Sequence, residues 1–164
     1  MAGVRPNQSL VPSVLDRLMA DDPSATRGVP ASGHQILRDV KMAVCRDLEN
    51  LLNTRWRCLS LRDDFEELKK QSLVNYGIPD ISGASLGTVE GRDDFCRLLE
   101  RTIRQYEPRF QTVKLTAQNP QPDDRIFRFR IDALLIAEPA PEPIVFDSEL
   151  LPRTGTFAVK EVAD

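Results

Sequence analysis

The apolar positions of this chain keep one rhythm up to Pro108 and another after it. Leu37, Val40, Val44, Leu48 and Leu51 are spaced by three and four and form a single stripe, with Arg38, Lys41, Arg46, Asp47 and Glu49 mostly off it. That spacing predicts an amphipathic helix over about 34–54, with Ser32 as its N-cap. Phe95, Leu98, Leu99, Thr102, Ile103 and Tyr106 repeat the pattern and predict a second helix over about 92–106, with Arg97, Arg101 and Arg104 on its other side. Asp93 and Asp94 near its start and arginines near its end suit the helix dipole, and Pro108 disfavours helical geometry at Glu107. Between the two, the segment 55–61 around Trp56 loses periodicity, 65–74 predicts a short helix, and Gly77 and Pro79 punctuate the chain. Residues 82–88, rich in Gly and Ser, read as a loop.

After Pro108 the period becomes two. Val113, Leu115 and Ala117 alternate with polar neighbours, and Phe127, Phe129, Ile131, Ala133 and Leu135 share one face while Arg128, Arg130 and Asp132 share the other. This is the mark of half-buried antiparallel strands, with 119–124 as the hairpin connection and further strands at 144–150 and 156–159. Helices first and strands second predict an α+β domain over 34–164, two main helices packed on one face of a small, mainly antiparallel sheet. Residues 1–33 read as a flexible N-terminal arm, because Pro6, Pro12, Pro23 and Pro30 with Gly3, Gly28 and Gly33 interrupt any long pattern. Inside the arm, Val11, Val14, Leu15 and Leu18 recur at helical spacing. So short a helix needs a surface to pack on, either its own domain or a groove on a partner.

Composition narrows the function classes. At 164 residues and 41% hydrophobic content, the chain can close a core without a disulfide or a metal. Its net charge of −3 comes from well-mixed charges and gives no footprint for nucleic acid. Cys45, Cys58 and Cys96 match neither a disulfide framework nor a zinc spacing, and Cys45 and Cys96 read as small buried hydrophobes. No apolar run approaches the ~20 residues that span a bilayer, and the first residues lack the apolar region of a signal peptide. A soluble, intracellular protein is expected.

Candidate chemistry is sparse. The one histidine, His34, stands at a helix start with no nucleophile motif beside it, and no glycine-rich phosphate loop occurs. The acid pairs Asp63-Asp64 and Asp93-Asp94 are more simply read as helix N-terminal charges than as a glycosidase pair. No catalytic residue, cofactor or metal is therefore assigned. The feature of a different kind is Glu107-Pro108-Arg109. A carboxylate at a helix C-terminus opposes the dipole and wants a compensating cation, which Arg104 or Arg109 could supply. Either the three residues form an internal brace, or Pro108 fixes the corner so that Glu107 and Arg109 project toward another protein, where arginine gives bidentate recognition.

Three segments decide what the chain resembles. Asp47-Leu48-Glu49-Asn50-Leu51-Leu52-Asn53-Thr54-Arg55, then Ser72-Leu73-Val74-Asn75-Tyr76-Gly77-Ile78-Pro79-Asp80, then Tyr106-Glu107-Pro108-Arg109-Phe110 resemble, in that order and spacing, the TssE family. These are baseplate subunits of type VI secretion, similar to the wedge protein of contractile phage tails. Pro12-Ser13-Val14-Leu15-Asp16-Arg17-Leu18 is similar to the family's N-terminal motif. The resemblance covers about residues 12–150 and implies a structural, non-enzymatic subunit that joins TssF, TssG and TssK and helps to start the TssB and TssC sheath. It implies a cytoplasmic location, at the cytoplasmic face of the inner membrane once assembled. It makes Glu107, Pro108 and Arg109 partner-binding residues, with Leu15 and Leu18 docking the arm. The family has also carried a lysozyme label, so the alternative is a peptidoglycan-cleaving enzyme. A sheath-starting sheet needs an edge for strand addition, and one C-terminal strand edge is expected to stay open or to be covered only by the flexible tail.

Overall fold

The computed structural model describes residues 33–56, 75–81, 83, 85–118, 126–137, 140–151 and 154–162. Two helices, α1 (Gly33–Asn53) and α2 (Val89–Tyr106), precede four strands, β1 (Phe110–Ala117), β2 (Phe127–Leu135), β3 (Glu142–Leu151) and β4 (Thr156–Glu161). The strands form one antiparallel sheet in the order β1-β2-β3-β4, each neighbour in the chain being a neighbour in space. This is the expected α+β fold. The arm with Leu15 and Leu18, the N-cap at Ser32, Cys58, Asp63-Asp64, the short helix over 65–74 and the connection 119–124 lie outside the described residues.

One face of the sheet makes the core. Val113 and Leu115 of β1, Phe127, Phe129, Ile131, Ala133 and Leu135 of β2, Ile144, Phe146 and Leu150 of β3, and Phe157 and Val159 of β4 are all buried. They meet Val40, Val44, Leu48, Leu51 and Leu52 of α1 and Phe95, Cys96, Leu99 and Ile103 of α2. Aromatic edges key the layers together: Phe95 meets Phe127 at 5.6 Å and 68°, and Phe129 meets Phe157 at 6.1 Å and 76°. The other face carries cross-strand ion pairs, Arg128 with Glu149 at 3.0 Å and Arg130 with Asp147 at 3.1 Å. The period-two reading of β2 is thus realised residue by residue.

The helix boundaries differ where local capping overrides composition. α2 begins at Val89, three residues before the expected start, because Thr88 caps it by accepting a hydrogen bond from the Gly91 N–H at 3.1 Å. Gly91 lies where a Cβ would stand 2.0 Å from the Ser85 carbonyl oxygen, so the preceding loop folds against the first turn. Gly77 has a φ of +110°, and a Cβ there would lie 2.3 Å from the Thr54 oxygen. That contact lets Ile78 donate to Thr54 O at 2.9 Å and accept from Trp56 N–H at 3.1 Å, which ties the residues after α1 to 75–80 in a parallel bridge. β3 starts earlier than expected, with Pro143 opposite Leu134, in a part of the strand that β4 does not reach.

The outer edge of β4 is covered, contrary to the expected open C-terminal edge. The Asn53 side chain donates to Phe157 O at 2.9 Å and accepts from Phe157 N–H at 2.8 Å, so its amide stands in for a neighbouring strand. Arg55 donates to Gly155 O at 2.6 Å and Cys45 Sγ to Val159 O at 3.4 Å. Side chains of α1 and of Arg55, two residues beyond it, therefore seal the edge from 155 to 159, which is one recognised way of blunting it. On β1, Gln118 N–H bonds Arg128 O at 2.9 Å. By the alternation of an antiparallel ladder, Thr116 and Lys114 also face β2, while the peptide groups of Val113, Leu115 and Ala117 point outward. Arg104 takes the Val113 oxygen at 3.0 Å. The outward groups of Leu115 and Ala117 have no such partner among the described residues.

Candidate functional site

The chain leaves α2 at Glu107, whose N–H still reaches Ile103 O at 2.8 Å while its own φ and ψ, −115° and 84°, are no longer helical. Pro108 cannot continue the turn, is exposed at the corner, and leads directly into β1. The Glu107 side chain turns inward and is only 6% exposed. Arg109 folds back over it: its Nε donates to Oε1 at 2.6 Å, its Nη2 donates to Oε2, and its backbone N–H donates to Oε1 at 3.2 Å. The acid that opposes the helix dipole is therefore compensated by the cation two residues later. Arg104 is used elsewhere, on Glu100 at 2.8 Å and on the Val113 oxygen.

A third member comes from α1. Asp47 Oδ2 accepts from Arg109 Nη2 at 2.7 Å, and Asp47 Oδ1 accepts from Arg46 at 3.3 Å. The corner is thus bolted to a helix 62 positions away in sequence. The sequence placed Asp47 on the polar side of α1 and at the head of the 47–55 motif, but not as a partner of the corner. Its one distinguishing signal is its place immediately before Leu48 on the apolar stripe, where an acid borders the core. Burial alone would favour the neutral form of Arg109, but the hydrogen bond and charge of Glu107, followed by those of Asp47, raise its pKa, so the guanidinium stays charged. Burial, with the charges of Asp47 and Glu107 behind it, pushes the nearby Tyr76 phenol up. Tyr76 meets Tyr106 edge-on at 5.3 Å, and Tyr106 donates to Asn75 O at 2.6 Å, so the floor of the corner is closed by aromatic rings.

The three motif residues are brought together, with unequal exposure. Glu107 is committed inward, Pro108 is exposed, and the Arg109 side chain is 30% exposed. Arg109 spends Nε and Nη2 internally, and Nη1 has no partner among the described residues. Among those residues there is also no group of three His, Cys, Asp or Glu placed to hold a metal ion, and no helix long and apolar enough to cross a membrane.

Residues 38–140 match the family described as baseplate wedge protein gp25. The chain belongs to that family. The matched span begins in α1 and ends just before β3, so the wedge-family region contains Asp47 and the whole Glu107-Pro108-Arg109 corner. A solved chain described as "The baseplate complex from the type VI secretion system" is also similar. It is 18% identical, covers 77% of this chain and 97% of its own length, and superposes with a TM-score of 0.48. No curated protein matches the chain.

Proposed function

We propose that this wedge-family chain is a structural subunit of a type VI secretion baseplate, without catalytic work of its own, and that it helps to start the contractile sheath. The ordered motifs at 47–55, 72–80 and 106–110 are the ground for choosing a secretion baseplate over a phage tail. In this reading the wedge partners are TssF, TssG and TssK, the sheath is TssB and TssC, and assembly takes place at the cytoplasmic face of the inner membrane. The 34–164 domain is the rigid part, and the arm 1–33 docks through Leu15 and Leu18.

One observation carries the reading: Arg109 is fixed from within by Glu107 and Asp47, yet at an exposed proline corner it keeps an edge with no partner among the described residues. A guanidinium already ordered loses little entropy on binding, and preorganised contacts of this kind add affinity mainly by avoiding that cost. The test is Arg109→Lys in a secretion-competent cell. Lysine keeps the charge but not the fork. Sheath foci and co-purification of wedge components should be lost while circular dichroism of the purified variant is unchanged. A folded variant that assembles sheaths normally would remove Arg109 as a contact. Cleavage of peptidoglycan by the purified chain, abolished by one carboxylate substitution, would overturn the non-catalytic reading altogether.

A further inference from the structure

Away from the core and the corner, the described residues form a concave surface to which no role has been given. Asp94, Arg97, Leu98 and Arg101 lie along one side of α2, and Trp56 and Pro79 face them from the bridged segments that follow α1. They line a groove of about 440 Å³. Trp56, the only tryptophan of the chain, is 37% exposed there. The wall is apolar at Trp56, Pro79 and Leu98, and the rim is basic. Arg97 shares one nitrogen with Asp94 at 3.1 Å, both side chains being largely exposed, while Arg101 has no ion pair among the described residues. Of these residues only Leu98 also packs against the buried core, while Trp56, Asp94, Arg97 and Arg101 are exposed. Tryptophan and arginine are the residue types that carry most binding energy in protein interfaces.

We infer that this groove docks an acidic, apolar segment of a partner protein. The segment seats one apolar side chain against Trp56, Pro79 and Leu98 and places a carboxylate on Arg101, with Arg97 as a second donor. Sign of charge is the selecting feature. A carboxylate gains charge-assisted hydrogen bonds at the rim, and a lysine in its place meets like charge. No residue of the Glu107-Pro108-Arg109 corner lines the groove, so this surface stands or falls independently of the proposed function.

Because Trp56 is the only tryptophan, its emission reports the groove directly. The probe is an amphipathic helical peptide of about 14 residues with Leu and Phe at helical spacing and Glu on the flanking positions. The control is the same peptide with Lys for Glu. Titration into the full-length chain should give a saturable blue shift with the Glu peptide and binding at least about tenfold weaker with the Lys peptide. Arg101→Glu, on an exposed helix position, should reverse that preference, and Arg101→Gln should abolish it without reversal, circular dichroism showing both variants folded. The proposal is overturned by equal responses to the two peptides, or by a preference unchanged in Arg101→Glu. It is overturned equally by emission that is already blue-shifted and inert to both peptides, which would mean the chain covers the groove itself.

Discussion

At the scale of single residues, the corner shows why charge pattern could pose a question that only packing answers. An acid at the C-terminus of a helix was readable as misplaced, and Arg104 and Arg109 were the local candidates to compensate it. Asp47 could not be read as the third partner, because nothing local in the chain records a contact across 62 positions. The burial of Glu107 also changes the expected energetics. An exposed pair would matter by about 0–1 kcal/mol, but Arg109→Ala leaves a carboxylate that is 6% exposed with little beyond a backbone donor. Arg109→Ala should therefore destabilise by about 2–4 kcal/mol. Glu107→Ala should cost less, about 1–2 kcal/mol, because Arg109 retains Asp47 and partial access to water. Urea denaturation with unchanged slope checks both, and equal, negligible losses would mean that the brace is idle. Cys96 gives a second residue-scale test. Burial first, then the charges of Asp93 and Glu100, push its thiol from 9.0 up to about 11. The folded chain thus holds this proton after the unfolded chain has released it, so its contribution to stability is complete below pH 9.0 and lost as pH rises toward about 11. The urea midpoint should fall over that window, and less steeply in Cys96→Ala.

At the scale of elements, periodicity located both helices and all four strands, and what it missed were ends and edges. The start of α2 was hidden because 82–88 read as a Gly- and Ser-rich loop, whereas Thr88 at its end supplies the cap that starts the helix. Thr88→Ala should cost about 1 kcal/mol by the same denaturation measurement. The pairing of α1 with β4 was hidden for another reason. Asn53 looks like an ordinary helix-end residue, and its role depends on Phe157 presenting both its N–H and its carbonyl at the sheet edge. Asn53→Ala should leave both groups without that partner and lower stability by about 1–2 kcal/mol. It should also expose a strand edge, so light scattering at rising concentration should show self-association that the parent chain lacks. A variant that is destabilised but stays monomeric would mean that Arg55 and Cys45 protect the edge sufficiently without it.

At the scale of the whole molecule, the order of rhythms along the chain was enough for the fold class, since two amphipathic helices and a period-two meander have few ways to share one core. It was not enough to say which edge of the sheet is available, because that depends on where α1 lies. With β4 sealed by α1 at 155–159, the strand edge left for addition among the described residues is β1, at the outward peptide groups of Leu115 and Ala117. This yields a prediction that separates folding from assembly. Proline at 117 removes an N–H that points away from β2, so no bond of the β1–β2 ladder is lost. The preceding Thr116 is already in a strand, the conformation that a following proline favours. Ala117→Pro should therefore change stability by less than about 1 kcal/mol, with amide exchange of the inner ladder preserved. If β1 is the docking edge, the same variant should fail to seed sheath polymerisation on purified baseplates while still joining the wedge. Normal seeding by a folded Ala117→Pro chain would instead send the search to the arm, the Arg109 corner and the Trp56 groove.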